Sequence, residues 1–344
     1  MIDLFPYNTL QVHAQAKNFI ELNSPDQLLP TDEPLLFLGG GANILFTKDF
    51  PGTVAKINFS GIKVIKEIDS DVLVEAAAGQ NWHDLVMWSV NHNLSGLENM
   101  ALIPGTVGAA VVGNIAAYGQ NQGDVVNSVR VLDLSTNKAV NLSHQDCRFF
   151  YRDSAFKHEF KDKLLIISVT YRLSKKAHFD TAYHSRYESL EKILTQFATP
   201  PYTIQQVANA VIKIRTVKMP DWTKIGTAGS FFKNPFVSRQ RLIELQSQIK
   251  ELQFYPTEKM LYPHPDDPIF KRTDQVKIPT GRLLDELGWL GKKIGNVSTF
   301  EKHALVIVNL GGATGAEIYE YSSLMRADIK KNFDIDLEYE VHII

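Results

Sequence analysis

Among 344 residues there is a single cysteine, Cys147, so an intramolecular disulfide and a multi-cysteine zinc site are both excluded. A charge excess is missing too: 36 basic side chains stand against 38 acidic ones, a formal −2 at pH 7. No overall positive field is available to hold a nucleic acid backbone or an anionic membrane surface. An anionic ligand must therefore be met by local cations and backbone amides. Long apolar runs are absent, and Leu164 to Ile167 is strand-sized, far short of a membrane span. The stretch Met1 to Leu10 has no basic region leading into an apolar one, which argues against a secretory signal. The expectation is a soluble cytoplasmic protein with no metal centre, no nucleic acid partner and no membrane partner.

What is present is globular in kind. Hydrophobic residues make up 44% and charged residues 22%, and a chain this long predicts two or three domains. The first third alternates strand-like and loop-like pieces: Leu35 to Leu38, Thr53 to Asn58 and Asp71 to Ala77 read as strands. Asn81 to Asn91 reads as a short helix with Leu85, Val86 and Val90 on one side, and strand signals return at Val129 to Leu134 and Leu164 to Leu173.

From about residue 200 the pattern turns helical. Thr203 with Gln206 forms a capping box ahead of Ile204, Val207, Val211 and Ile214, and Pro220 stops that helix. Ser238 caps a second helix carrying Leu242, Leu245, Ile249 and Leu252. Thr314 with Glu317 opens a third, with Ile318, Leu324, Met325 and Ile329 on its buried stripe. Ile335 to Ile344 reads as a final strand. Gln253 to Lys277, rich in Pro, Asp, Lys and Tyr, reads as an aperiodic surface excursion.

Two glycine-rich loops stand out. Gly39-Gly40-Gly41-Ala42-Asn43 follows a strand directly, where glycines let backbone amides approach a phosphate and form a nest. A tight turn without ligand explains it as well. The dinucleotide fingerprint GxGxxG is not met, since Ile44 occupies its sixth position. The second loop, Gly96 to Gly119, places five glycines and many small residues in 24 positions with almost no charge. Such density suits backbone lying against a flat, bulky ligand, or a buried, tightly turning connection.

Read with Tyr151-Arg152-Asp153-Ser154 and Gly229-Ser230-Phe231-Phe232-Lys233-Asn234-Pro235, these loops resemble the UDP-N-acetylenolpyruvoylglucosamine reductase family, in the family's order and from about Tyr7 to Val341. Tyr187, before Glu188-Ser189-Leu190, resembles the subgroup that closes a tyrosine over its substrate. The resemblance implies an α+β protein of the vanillyl-alcohol oxidase/PCMH-type FAD-binding fold with an additional α/β substrate-binding domain. The division expected is 1–63 and 64–217 for two FAD-binding subdomains, 218–334 for the UDP-sugar domain, and 335–344 as a strand returning to the first. It implies a monomer that reduces UDP-N-acetylglucosamine enolpyruvate to UDP-N-acetylmuramate with NADPH and FAD, in peptidoglycan precursor synthesis.

The same resemblance assigns roles. Ser230 matches the proton donor, Arg152 the partner of the enolpyruvyl carboxylate, and Glu340 the catalytic glutamate. By strand alternation alone Glu338 and Glu340 share a face, so only the family match selects Glu340. Lys218 and Lys233 are candidates for a positive environment around Ser230. Gly39, Gly41, Asn43, Gly105, Thr106, Gly108, Asn114, Gly119 and Arg215 match cofactor contacts; Tyr187, Lys218 and Asn234 match UDP-sugar contacts. Arg215 lies one position past the apolar stripe of its helix, which also fits a surface arginine. The chain departs from the family at Leu290, where some relatives carry a lysine, and at His342, where an arginine can occur, which bears on the diphosphate contacts. An oxidase of the same fold, which needs a base in place of an acid, and a non-catalytic nucleotide-sugar binder are the competing readings; intact Ser230, Arg152 and Glu340 argue against the second.

No histidine lies in the first glycine loop, so the flavin is expected to be held without a covalent link. Acid precipitation should release all of it into the supernatant, and flavin left in the pellet would contradict this.

Overall fold

The computed structural model describes residues 1–27, 33–177, 179, 190–256 and 274–344. Near the N-terminus a four-stranded sheet runs in the order Ile2–Asp3, Gln15–Leu22, Phe50–Ile57, Leu35–Leu38, with its three longer strands parallel. Beside it lies a five-stranded antiparallel sheet, ordered Lys138–Ser143, Val126–Asp133, Leu164–Ser174, Asp71–Ala77, Ile62–Ile68. In Asp71–Ala77 the side chains of Val72, Val74 and Ala76 alternate into the core, as a pleat with one covered face requires. That face packs with the helices Trp82–Asn91 and Ile204–Lys218 in one continuous apolar cluster.

A second apolar cluster belongs to the last third of the chain. A four-stranded antiparallel sheet, Gly226–Ser230, His303–Asn309, Val297–Phe300, Lys293–Ile294, packs with the helices Arg239–Gln248, Thr280–Glu286 and Gly315–Phe333. Leu10, Val12 and Leu45 of the N-terminal region join it, which welds the two ends of the chain together. Each leucine or valine fully removed from water in such a cluster contributes about 1.5–3 kcal/mol. Among the described residues no helix is long and apolar enough to cross a membrane.

The capped helices begin where the sequence predicts. Thr203 with Gln206, and Thr314 with Glu317, form reciprocal capping boxes, and Ser238 accepts from the Arg241 amide. Four expectations need correction. Leu324 is 47% exposed and does not belong to the buried stripe, which runs instead through Ile318, Tyr321, Met325 and Ile329. Residues 335–344 are not one strand: only His342–Ile343 pairs, in parallel with Ile44–Leu45, and Tyr339 makes an isolated bridge to Phe232. A run of alternating side chains cannot form a ladder where its neighbours change from one residue to the next. The described ends of the segment 253–277 are not aperiodic, since Gln275–Lys277 pairs with both Phe236–Ser238 and Tyr255–Pro256; residues 257–273 lie outside the described residues. The second glycine loop contains a helix, Val107–Gly113, that its small residues had concealed.

The helix Gly315–Phe333 docks through its first residue. A Cβ on Gly315 would lie 1.7 Å from the Phe46 carbonyl oxygen, a backbone atom that cannot swing aside. Thr314→Ala removes one cap and should cost about 0.5–2 kcal/mol. Gly315→Ala should lower the thermal midpoint by more, because the helix or the strand beneath it must move. Equal midpoints for Gly315→Ala and the parent would show that the approach is not tight.

Candidate active site

The strand Leu35–Leu38 delivers the chain into Gly39–Asn43. The Gly39 carbonyl accepts from the Lys56 ammonium, and the Gly41 carbonyl from the Thr9 amide at 3.0 Å. In a trans peptide the C=O and the following N–H point in opposite directions, so the amides of Gly40 and Ala42 turn away from these partners. Gly41 has φ +63°, and a Cβ there would meet the Tyr7 carbonyl at 1.9 Å. A Cβ on Gly40 would stand 2.6 Å from Cα of Gly105. The two glycine loops therefore touch backbone to backbone, a contact in which Gly40 takes part although sequence reasoning singled out only its neighbours.

On the far side of that contact, Gly105 has φ +121° and Thr106 precedes the helix Val107–Gly113. The Gly108 amide donates to the Ala78 carbonyl at 2.8 Å, and a Cβ on Gly108 would press on that of Ala78 at 2.9 Å. Thr106 Oγ1 is buried and has no hydrogen-bond partner among the described residues. Asn114, left-handed at φ 40°, gives its amide to the Phe150 carbonyl and takes the Gly123 amide, so its side chain braces the loop. Gly119 follows with φ +86°. Arg215 does not face outward: its Nε donates to the Leu102 carbonyl at 3.2 Å, and burial lowers its pKa.

Residues 152, 230 and 340 converge although they are far apart in the chain. Ser230 ends the strand Gly226–Ser230, half-buried, and its hydroxyl makes no hydrogen bond among the described residues. One residue on, the Phe231 carbonyl accepts the Glu340 amide at 3.0 Å. The Glu340 carboxylate grips Arg152 Nε at 3.0 Å, with both side chains about four-fifths buried. Arg152 sits at φ 54°, and its Nη2 donates to the Ala116 carbonyl at 3.0 Å. Asn43 Nδ2 donates to the Glu340 carbonyl at 3.0 Å, joining the first glycine loop to the same carboxylate residue. Glu338 turns away, 73% exposed and paired with Lys233 at 3.0 Å. The two glutamates that alternation leaves equivalent are thus distinguished by their partners.

The substrate-side residues have separate surroundings. Asn234 takes the Thr280 amide on its Oδ1 and donates its own backbone amide to the Tyr151 hydroxyl oxygen at 3.2 Å. Lys218 closes the helix Ile204–Lys218, where its charge acts on His303. Tyr187 lies outside the described residues. Leu290 is exposed, and the neighbouring Lys292 stacks its ammonium over the Trp289 ring at 3.9 Å.

Two lysines were missed from sequence. Lys157 donates from Nζ to the Arg152 carbonyl at 2.8 Å, and burial, then Lys233, lowers its pKa. Lys277 lies 4.4 Å over the Tyr151 ring, and its pKa is lowered to about 7 by burial and by Arg152, with Glu340 opposing. Lys157 lies only five residues beyond Arg152 and was within reach of motif reading. Lys277 lay at the end of a segment read as surface and carried no signal.

A model of the UDP-N-acetylenolpyruvoylglucosamine reductase C-terminal domain matches residues 221–344, and one of an FAD binding domain matches residues 30–143. The chain is 38% identical over 344 residues to the UDP-N-acetylenolpyruvoylglucosamine reductase of Flavobacterium johnsoniae, covering 98% of this chain and 97% of that protein. It is 40% identical over 347 residues to the protein of that name from Neisseria gonorrhoeae, covering 98% and 95%. Among solved structures, UDP-N-acetylenolpyruvylglucosamine reductase from Thermus caldophilus superposes with a TM-score of 0.63 at 20% identity, over 99% of this chain and 97% of that one. A solvent-stable cholesterol oxidase gives 0.50 at 11% identity, over 97% and 85%. The fold is accordingly α+β, of the vanillyl-alcohol oxidase/PCMH FAD-binding type with an additional α/β domain.

Lys277 offers a check on the electrostatics of the cluster. Glu340 is the neighbour that raises its pKa, so Glu340→Gln should move its titration below about 7. Arg152→Gln, removing a like charge, should move it upward. Side-chain NMR of the lysine ammonium against pH reads both shifts, and movement in the opposite senses would break the assignment of neighbours.

Proposed function

The chain belongs to the UDP-N-acetylenolpyruvoylglucosamine reductase family, and from that premise we propose how its residues divide the work of one reaction. The protein is an FAD-dependent oxidoreductase that reduces UDP-N-acetylglucosamine enolpyruvate to UDP-N-acetylmuramate with NADPH, in peptidoglycan precursor synthesis. The residues present fit the cofactor. In two glycine loops backbone lies where a Cβ would intrude, and the buried Thr106 hydroxyl lacks a partner among the described residues. Gly39, Gly41, Asn43, Gly105, Thr106, Gly108, Asn114, Gly119 and Arg215 would hold FAD, some directly and some, like Asn114 and Arg215, by bracing the loops. The chemistry FAD supplies when bound is the relay of a hydride from NADPH to C3 of the enolpyruvyl group.

The chain must then provide a proton at C2 and relieve negative charge growing towards the carboxylate. Ser230 gives that proton. Its hydroxyl is a weak acid, so it needs a cation to favour the serine oxyanion left behind, a part for which Lys218 is the candidate. Arg152 holds the carboxylate, presenting a planar fork already oriented by Glu340 and by the Ala116 carbonyl. Glu340 positions that fork and offsets the surrounding positive charge. Tyr187, Lys218 and Asn234 bind the UDP-sugar, joined by Lys277, whose depressed pKa will rise when an anion settles beside it. The observation that carries this reading is the convergence of residues 152, 230 and 340: the Glu340 amide bonds to the residue after Ser230 while its carboxylate grips Arg152.

We assign 1–63 and 64–217 to FAD binding, 218–334 to the UDP-sugar, and 335–344 to the return of the chain. The reading as a cytoplasmic monomer rests on the family resemblance, and a single, buried cysteine thiol is consistent with a reducing compartment.

Ser230→Ala removes a hydroxyl and adds no bulk, so fold and flavin content should survive. NADPH should bleach the flavin band at close to the parental rate, since that half-reaction needs no proton from Ser230. Recovery of the band on adding the enolpyruvyl sugar should slow by about 10²–10⁴-fold, the usual worth of a positioned acid. Stopped-flow absorbance separates the two halves; recovery at the parental rate would remove Ser230 as donor and make Glu340 the next candidate.

A further inference from the structure

The second glycine loop is held by a device of which the assigned residues supply only Arg215. Leu102 has φ +60°, a left-handed conformation that a leucine adopts only when its surroundings impose it. Both polar groups of this residue are taken by side chains from two different helices. Its N–H donates to His83 Nδ1 at 3.0 Å, and its carbonyl accepts from Arg215 Nε at 3.2 Å. His83 belongs to Trp82–Asn91 and Arg215 to Ile204–Lys218.

The same helix start fastens the turn at two further points. Trp82 donates its indole N–H to the Met100 carbonyl at 3.0 Å and its backbone N–H to the Gly105 carbonyl at 3.1 Å. The turn from Met100 to Gly105 is therefore fixed at its ends by Trp82 and at its middle by His83 and Arg215. Gly105 is the residue against which Gly40 rests. A change in the Leu102 peptide would be carried three residues on, to the place where the two loops meet.

We propose that His83 is a positioning residue for FAD, which as a neutral imidazole holds the Leu102 peptide in its left-handed form and thereby sets Gly105 and Thr106 for the cofactor. The proposal rests on the reading of these loops as the FAD site. An imidazole nitrogen that accepts the Leu102 N–H carries no proton, so the ring proton sits on Nε2. Protonation of Nδ1 would replace that hydrogen bond with two opposed donors. The charged groups facing the ring are Asp84 on its own helix and Arg215 on the other. Burial lowers the His83 pKa, Asp84 opposes this, and Arg215 reinforces it. The ring thus stays neutral into mild acid. Because the FAD-bound form requires the neutral ring, affinity is present above that pKa and is lost as pH falls through it.

The test is FAD titration of the flavin-free protein, followed by quenching of flavin fluorescence between about pH 5 and pH 8. The variants are His83→Phe, which has no acceptor, and His83→Asn, whose carboxamide oxygen can take the Leu102 N–H without titrating. The parent should bind FAD with an affinity that falls in acid. His83→Phe should bind about tenfold more weakly across the range, the worth of one hydrogen bond. His83→Asn should come within about twofold of the parent at neutral pH and lose the acid-dependent part. Thermal midpoints of the flavin-free proteins guard against a merely structural role, which would lower the midpoint and leave FAD affinity unmoved. The proposal is overturned if His83→Phe binds FAD with the parental affinity and pH profile, or if His83→Asn is no better than His83→Phe. A parent that binds no FAD at all would overturn the cofactor reading itself, and this inference with it.

Discussion

Everything at the centre of this protein depends on two stretches of backbone lying closer together than side chains permit. Gly40 and Gly105 meet where a single Cβ would collide with a main-chain carbon. Around that contact the molecule is fastened in layers. Lys56 and Thr9 hold the carbonyls on one side, while Trp82, His83 and Arg215 hold them, with the Leu102 amide, on the other. The bare backbone left between them is what a diphosphate or a flat ring system needs, since amides can approach it without a screen of side chains. The fold's size follows in part from this: two sheets and two helices are needed to hold a few glycines still.

The second organising feature is electrostatic. A chain with a formal charge of −2 nonetheless gathers Arg152, Lys157 and Lys277 around Glu340, with Asp153 the other carboxylate acting on Lys157. Burying like charges together is costly, and the depressed pKa values of both lysines register that cost. Such a cluster is stabilised by whatever anion enters it. An enolpyruvyl carboxylate and a diphosphate add to the compensation that Glu340 and Asp153 provide. The ion pair between Arg152 and Glu340 keeps the guanidinium oriented before substrate arrives, so less freedom is lost on binding.

Much of this was legible in the sequence, and for identifiable reasons. Capping boxes are local chemistry, and Thr203, Ser238 and Thr314 each start a helix as predicted. Alternation in Asp71–Ala77 reads directly as a covered sheet face. The site motifs around Arg152 and Ser230 were visible because their residues are contiguous. What failed to show was set by contacts distant along the chain. Glu338 and Glu340 differ only in their partners, Lys233 and Arg152, which no spacing rule reveals. Residues 335–341 look like a strand, yet the neighbours that would make them one are a loop and a single bridge. Leu324 falls on the predicted apolar stripe but at its margin, where nothing covers it. Lys277 acquires its character from burial against Tyr151, and a lysine among prolines and aspartates carries no hint of that.

The lone cysteine has a practical corollary. Cys147 is fully buried, and burial pushes its thiol up to about 12, so at neutral pH it offers almost no thiolate to an alkylating reagent. The native chain is therefore already silent towards maleimide chemistry and needs no cysteine-free background. A cysteine introduced at an exposed position such as Ile243, 62% accessible on its helix, would be the one sulfur that reacts. Dyes or spin labels attached there and on the five-stranded sheet would give distances between the two apolar clusters in solution, with no replacement needed inside the packed interior.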